Sequence, residues 1–243
     1  QVVAASGRSL DSLPEDILAI SGIQYGITSN GAAVYRLSDR KCLKQCKLTK
    51  ESVREILKYT ERQETAFEAF IEGKPYAQKE YVEDPVRFGA THRAIPYIQS
   101  TREPVADMVS FIYDHQEILD CLDIVVKSEE KKKELWKTLR ENVKDVYITS
   151  SVTQLLEISH RDSGKEAGIR FLLEYLGLKR EGLAAFGDGD NDREMLSYAQ
   201  VGIAMENGSL ECKKAADWIA PSNENDGVAW GIEKLLEENQ SGL

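Results

Sequence analysis

The chain of 243 residues contains only four cysteines and three histidines, the residues on which disulfide frameworks and zinc sites depend. They are Cys42, Cys46, Cys121, Cys212, His92, His115 and His160. The cysteines follow no disulfide or zinc-ligand spacing, and no two histidines stand four residues apart as they do on a zinc-binding helix. We therefore expect reduced thiols in a cytoplasmic protein, and histidines that lie on the surface or pack in the fold.

Long apolar runs and an excess of positive charge are also lacking. No stretch of 18 residues is continuously apolar, and no charged-then-apolar leader is visible, which argues against a membrane anchor or a secretory signal. The formal net charge of −10 argues against nucleic acid or an anionic membrane as the main partner. A hydrophobic fraction of 42% is enough for a buried core. An anionic substrate would have to meet local positive groups or a cation.

The first block of the chain indicates a parallel strand–helix–strand unit. Val2–Ala5 forms a short apolar run, apolar residues then recur at helical spacing over 10–18, and residues 25–28 predict a second strand. Gly22 is expected to close the helix, and Ser29-Asn30-Gly31 is a turn-prone sequence after the second strand.

The middle of the chain, 37–160, has a different order of predicted helices and strands. It predicts helices at 50–61 and 129–140, helical periodicity over 105–122, and strands at 122–126, 146–150 and 154–158, the last two as a hairpin. Strand-then-helix alternation returns after 160. The predicted fold is therefore α/β: a doubly wound, Rossmann-like core of residues 1–36 and 161–243, with an inserted α/β module at 37–160.

Three polar segments follow predicted strands or open a helix, where open α/β sheets bind their ligands. They are Ser6-Gly7-Arg8, Ser163-Gly164-Lys165 and the acidic loop 187–192. Ser163 and Glu166 form a predicted capping box, which places Lys165 at a helix N-terminus, a favourable position for an anion. Each of these segments alone is more often an ordinary turn or surface residue, so their joint occurrence carries the argument.

The acidic loop places Asp188, Asp190 and Asp192 at alternate positions directly after a buried strand. Close carboxylates repel one another by about 4 kcal/mol per pair at an effective dielectric of about 20, so such a cluster predicts a hard cation. A calcium loop would need Gly and Glu where Arg193 and Ala199 stand. Mg²⁺ is the better prediction, because it binds few carboxylates together with water and substrate phosphate.

These segments resemble the motifs of haloacid dehalogenase (HAD) superfamily phosphatases. Ser6-Gly7-Arg8 resembles the second motif, Ser163-Gly164-Lys165 the third, and Gly187-Asp188-Gly189-Asp190-Asn191-Asp192 the fourth. Five further segments are similar to the Cof-like branch: 28–32, 156–158, 202–207, 215–218 and 223–229. The resemblance implies a HAD core with a C2-type cap at 37–160 that closes over the site and selects the substrate.

By this resemblance, each candidate residue has an expected role. Asp188, Gly189 and Asp192 would form the metal site, with Lys165, Asp188 and Asp192 as the catalytic set. Ser6, Gly7, Lys165 and Asn191 would hold the phosphoryl oxygens, while Arg8 and Asn30 would face the leaving group or the cap. The expected activity is Mg²⁺-dependent hydrolysis of small phosphorylated metabolites, such as sugar phosphates, through an aspartyl-phosphate.

The chain departs from this family pattern at its first motif. No Asp-x-Asp-Gly-Thr/Val segment, which carries the nucleophile and the acid/base in that family, occurs in the 243 residues. We expect a longer gene product to supply it and the 243-residue chain alone to be inactive. Two alternatives stay open: a non-catalytic paralogue that binds a phosphorylated ligand or a protein, and a sugar phosphomutase. The sequence identifies neither the substrate nor the oligomeric state.

Overall fold

The computed structural model describes residues 1–241. Its strands are β1 (Val2–Ala5), β2 (Ile23–Thr28), β3 (Ala33–Arg36), β4 (Lys41–Gln45), β5 (Ala66–Ile71), β6 (Lys74–Gln78), β7 (Glu103–Val105), β8 (Leu119–Val125), β9 (Val146–Thr149), β10 (Leu155–His160), β11 (Ala184–Gly187), β12 (Val201–Met205) and β13 (Trp218–Ala220). Its helices are α1 (Glu15–Leu18), α2 (Lys50–Thr60), α3 (Lys79–Glu83), α4 (Ile95–Thr101), α5 (Met108–Asp114), α6 (Glu129–Asn142), α7 (Lys165–Leu176), α8 (Arg193–Tyr198), α9 (Leu210–Lys214) and α10 (Gly227–Ser241). No helix within 1–241 is both long and apolar enough to span a membrane.

The strands form three sheets, which confirms the predicted α/β class. The first has the order β1-β2-β3-β4, with β1 and β2 parallel. The second has the order β7-β6-β5-β8-β10-β9 and is antiparallel except between β6 and β7. The third, β11-β12-β13, is parallel. Strands β1 and β11 each lie at the edge of their sheet.

Contacts within the chain divide it into two compact units. Gln1–Gly168 contains the four-stranded and six-stranded sheets, and the second unit begins at Ile169 and contains the parallel sheet. The limits 37–160 for an inserted module stay a prediction.

The two faces of the six-stranded sheet differ sharply in chemistry. One face packs against α2, α5 and α6 through a large buried apolar cluster that includes Leu122 and Ile158. The opposite face carries Glu68, Asp123 and Glu157, which are paired side by side across β5, β8 and β10. All three carboxylates are buried, at 1–3% exposure. Burying a row of acids is unfavourable unless partners compensate, which makes this face a candidate for function.

Several sequence predictions hold in the structure. The hairpin of residues 146–158 is present as β9 and β10, and the helices predicted at 50–61 and 129–140 are α2 and α6. Thr49 and Ser128 cap α2 and α6, since each side chain accepts a backbone N–H from the first turn.

Other predictions are wrong in part. The helix expected over 10–18 is a single turn at Leu10–Ser12 followed by the four-residue α1, because Pro14 interrupts the backbone between them. The helical periodicity over 105–122 belongs to the short α5 and then to the buried strand β8, whose continuous apolar run does not reveal its type. Strands β3, β4, β5, β6 and β7 were not predicted.

Candidate active site

Three of the predicted segments converge within the first unit. The backbone N–H of Ser6 donates to the Ile27 carbonyl at 2.8 Å, and the N–H of Asn30 donates to the Ser6 carbonyl at 3.1 Å. The N–H of Gly164 donates to the Asn30 carbonyl at 2.8 Å. The loop after β1, the turn after β2 and the start of α7 therefore form one hydrogen-bonded assembly, which we call the cradle: residues 6–8, 29–31 and 163–165.

The turn in the cradle depends on backbone conformations that are uncommon for L-residues. Ser29, Asn30 and Gly31 have φ values of 48°, 52° and 85°. A Cβ added at Gly31 would lie 2.0 Å from the Gly164 carbonyl oxygen, so a side chain has no room there. Glycine at both positions lets the turn and the start of α7 touch backbone to backbone.

Lys165 is the first residue of α7 and is buried, at 6% exposure. The predicted capping box is wrong, because the helix begins two residues after Ser163 and the Ser163 hydroxyl makes no hydrogen bond among the described residues. The Ser29 hydroxyl, also buried, is unpartnered in the same sense. Two unsatisfied hydroxyls in the cradle are unusual for a folded protein and are consistent with a polar ligand or water nearby.

Glu157, from β10, contacts the cradle directly. Its Oε1 accepts hydrogen bonds from Asn30 Nδ2 at 3.1 Å and from Ser151 Oγ at 3.0 Å, and its Oε2 accepts the backbone N–H of Ser151. A Cβ added at Gly7 would lie only 2.8 Å from Glu157 Oε1. Burial raises the pKa of Glu157, whereas the hydrogen bonds from Asn30 and Ser151 and the positive charge of Lys165 oppose that rise.

Asp123 lies beside Glu157 on the same face. Burial raises its pKa well above the usual range, and the neighbouring Glu157 and Glu68 raise it further, because like charges disfavour ionisation. The Cys121 thiol donates to its Oδ1 at 3.1 Å, and this bond and the charge of Arg102 oppose the rise.

Arg8 and Arg102 meet at one aromatic ring. The guanidinium carbons of Arg8 and Arg102 lie 4.1 and 4.7 Å from the centroid of Tyr97. Arg102 pairs with Glu68 through two hydrogen bonds of 3.1 and 2.9 Å, and both residues are buried. Arg8 donates to the Ser12 carbonyl at 3.3 Å. These contacts join the loop after β1 to the six-stranded sheet.

In the second unit, Asp192 organises the acidic loop. Its Oδ2 accepts the backbone N–H groups of Asp188 and Gly189, both at 2.9 Å, and its side chain is 4% exposed. A Cβ at Gly187 would lie 2.4 Å from Asp192 Cβ, and one at Gly189 would lie 2.4 Å from Asn191 Oδ1. The two glycines therefore allow Asn191 and Asp192 to fold back over the loop.

The other two carboxylates of the loop, those of Asp188 and Asp190, differ in their surroundings. Asp190 accepts a hydrogen bond from Ser209 Oγ at 2.5 Å and thereby fixes the N-terminus of α9. Asp188 is exposed, and its carboxylate accepts no hydrogen bond or ion pair from the described residues. Within the described part of the chain no three His, Cys, Asp or Glu side chains form a metal cluster. The oxygen donors of Asp188 and Asp192 fit Mg²⁺, which commonly takes one or two protein carboxylates and completes its shell with water and phosphate.

Ser6, Gly7, Asn30 and Lys165 thus share the cradle, whereas Gly189, Asn191 and Asp192 are packed within the acidic loop. Sequence reasoning assigned no role to the acids of the six-stranded sheet or to Tyr97 and Arg102. A detectable signal was present for the acids, because each interrupts an apolar strand: Phe67-Glu68-Ala69, Leu122-Asp123-Ile124 and Leu156-Glu157-Ile158. Of the histidines, His92 is exposed, His115 bonds the Phe111 carbonyl at 2.8 Å, and the His160 carbonyl accepts the N–H of Ser163 at 2.8 Å.

Comparisons with known proteins bear on the fold and on the family of the chain. The phosphatase YwpJ of Bacillus subtilis is 27% identical over 190 residues, which cover 77% of this chain and 61% of that protein. A HAD subclass IIB sugar phosphatase of known structure has a TM-score of 0.79 at 18% identity, over 97% of this chain and 85% of that one. A HAD-like hydrolase from B. subtilis also has a TM-score of 0.79, at 24% identity over 94% and 85%. Residues 1–232 match the model of the haloacid dehalogenase-like hydrolases, and the chain therefore belongs to that family.

Proposed function

We propose that this hydrolase is a Mg²⁺-dependent phosphatase of small phosphorylated metabolites, with sugar phosphates as the substrate class. The observation that carries the proposal is the cradle, in which backbone hydrogen bonds join the loop of Ser6 and Gly7, the turn of Asn30 and the start of α7 with its buried Lys165. Such a set of hydroxyl, N–H and ammonium groups matches the oxygens of a phosphate ester. The sugar phosphatase among the structural relatives supports the substrate class.

In this proposal the cradle binds and orients the phosphoryl group. Ser6 and Gly7 offer a hydroxyl and a backbone N–H, and Lys165 offers a positive charge at the start of α7, where the helix N–H groups also favour an anion. Asn191 is assigned a phosphoryl contact from the acidic loop. Arg8, held against Tyr97, is assigned to the side of the leaving group.

Asp188 is the proposed first metal ligand, because its carboxylate is exposed and without a protein partner among the described residues. Asp192 keeps the loop in shape through Oδ2 and supports the metal shell, with Gly189 as a backbone contact. Mg²⁺, when bound, would neutralise the phosphoryl oxygens and so offset the net negative charge of the chain.

The nucleophile of the proposed aspartyl-phosphate mechanism does not lie in the 243 residues. The proposal assigns it, together with the acid/base carboxylate, to an Asp-x-Asp-Gly-Thr/Val segment, a motif that does not occur in these residues. The chain as printed is then expected to bind phosphate but not to turn over an ester.

The test is an assay of the product of the complete coding frame on a panel of sugar phosphates, with Mg²⁺ and with EDTA. We expect Mg²⁺-dependent release of inorganic phosphate, and loss of nearly all turnover in Lys165→Ala. Lys214→Ala, at an exposed lysine in the last turn of α9, is the matched control and should keep full activity. Absence of Mg²⁺-dependent hydrolysis across the panel would sink the proposal, and a shift of the phosphate within one sugar would reassign the protein as a mutase.

A further inference from the structure

We infer that Glu157 is a positioning residue for phosphoryl binding, through which the six-stranded sheet holds Asn30 and Lys165 in the cradle. The inference rests on the proposed function, since it concerns the same cradle. It adds a residue that touches the phosphate-binding groups from a strand outside the loops that form them.

Hydrogen-bond geometry is the first support. The Asn30 amide donates to Glu157 Oε1 at 3.1 Å, so the nitrogen end of that amide is turned toward β10. Asn30 is 1% exposed and lies in the left-handed region at φ 52°, a conformation that requires support from its surroundings. Glu157 supplies that support from a regular strand, which is more rigid than a loop.

Glu157 is itself held in place. Ser151 donates to it twice, from the hydroxyl to Oε1 and from the backbone N–H to Oε2, and the residue is 3% exposed. Both carboxylate oxygens are therefore used, which fixes the side chain. A buried acid with this many directed bonds acts as a geometric anchor rather than as a surface charge.

Charge is the second support. The ammonium of the buried Lys165 acts electrostatically on Glu157 and lowers the pKa of that carboxyl against the effect of burial. Close packing completes the contact, because Gly7 leaves no room for a Cβ beside Glu157 Oε1.

Two opposite effects make the inference testable. A carboxylate that only lies near the phosphate site repels an anion, so its removal tightens phosphate binding. A carboxylate that positions Asn30 and Lys165 does the reverse: its removal weakens binding. The sign of the change in phosphate affinity therefore separates the two.

The experiment measures the Kd of inorganic phosphate for the 243-residue chain by calorimetry at pH 7, for the unmodified chain and for Glu157→Ala, Glu157→Gln, Asn30→Ala and the double variant Asn30→Ala/Glu157→Ala. We expect Glu157→Ala to raise the Kd about tenfold and Glu157→Gln to raise it less, because the amide keeps one oxygen for Asn30. The double variant should be little weaker than either single variant, since the two residues act together. Glu130→Gln, an exposed acid on α6, is the control and should leave the Kd unchanged.

Unchanged or tighter phosphate binding in both Glu157 variants would overturn the inference, as would additive effects of Asn30→Ala and Glu157→Ala. Glu157→Gln keeps the test valid if the alanine variant fails to fold, because its shape is that of the native residue. Lys165→Ala distinguishes a failure of the inference about Glu157 from a failure of the proposed phosphate site. If it abolishes binding while both Glu157 variants bind normally, only the inference fails; if the unmodified chain binds no phosphate, the proposed cradle fails as well.

Discussion

The carboxylate of Asp192 stabilises the backbone of the acidic loop through hydrogen bonds. One of its oxygens satisfies two backbone N–H groups, those of Asp188 and Gly189, in a loop with little other regular structure. The loop is therefore shaped by the protein itself, and Asp188 is left exposed.

We predict that Asp192→Ala lowers the free energy of unfolding by about 1–3 kcal/mol even without metal, because two donors lose their acceptor. Asp192→Asn, which keeps one side-chain oxygen, should lose less. Urea denaturation in EDTA measures both. The control is Asp188→Ala, which removes a carboxylate from the same loop without breaking a protein hydrogen bond; equal losses in Asp188→Ala and Asp192→Ala would contradict the prediction.

A second residue makes stability depend on pH. Burial raises the pKa of Asp120 to about 6, although Gln45 Nε2 donates to it at 2.6 Å and the Gly73 N–H at 3.3 Å. In the unfolded chain the same group titrates near its ordinary value of 3.8. Between these two values the unfolded state binds fewer protons, so stability falls as pH rises from about 4 to about 6.

Asp120→Asn removes this titration, so the stability of the unmodified chain relative to the variant should fall between pH 4 and pH 6 and then level off. The slope cannot exceed about 1.4 kcal/mol per pH unit, the value for one proton. Unfolding free energies of both proteins at pH 4, 5, 6 and 7 give this difference. The contributions of the other buried acids to the pH dependence cancel in it. A constant difference across the series would show that Asp120 does not titrate in this range.

Among the elements, the turn after β2 places a strict demand on the sequence. Gly31 has a φ of 85° and meets the Gly164 carbonyl with no space for a Cβ, whereas Gly22 has nothing within 4 Å of the position where a Cβ would lie. We predict that Gly31→Ala lowers the free energy of unfolding by roughly 2 kcal/mol or more. Gly22→Ala, the matched control, should be neutral or stabilising by up to about 1 kcal/mol. Thermal or urea unfolding distinguishes them, and similar values for the two variants would contradict the assigned close approach.

At the scale of the elements, the sequence predicted helices and turns correctly where the hydrophobic periodicity agrees with the capping and turn residues. Helices α2 and α6 have clear caps, and the Ser29-Asn30-Gly31 turn has the composition that left-handed conformations favour. It misjudged 105–122, because a short apolar strand such as β8 has no period of its own. The role of Glu157 depends on pairing across β10, β8 and β5, which join residues far apart in the chain, and a single sequence does not contain that register.

For the molecule as a whole, Arg102 joins the six-stranded sheet to the segment that follows β1 within the unit of residues 1–168. Its guanidinium pairs with Glu68 inside the six-stranded sheet and donates to Ser12 Oγ, at 3.4 Å, in the loop after β1. The pair is buried on both sides, at 6% and 1% side-chain exposure, so neither charge can turn to solvent if its partner is lost.

We predict that Glu68→Leu destabilises the protein by about 3–5 kcal/mol, because it leaves a buried guanidinium uncompensated. Arg102→Met added to Glu68→Leu should restore most of that loss. The exposed pair of Glu129 and Lys133 offers a control, in which Glu129→Ala should change little. Urea unfolding of the four proteins measures this, and a double variant no more stable than Glu68→Leu alone would contradict it.

The bond between Asn30 and Glu157 has a consequence for how such enzymes change in evolution. The predicted ends of the inserted module, after residues 36 and 160, would separate Asn30 from Glu157 and Ser12 from Arg102, so each pair has one member on either side of the joint. Exchange of the module between relatives would break both contacts unless the two residues of each pair come from the same parent. In lineages that recombine at these points, we expect positions 30 and 157 to covary, and a chimaera to need both residues from the same parent.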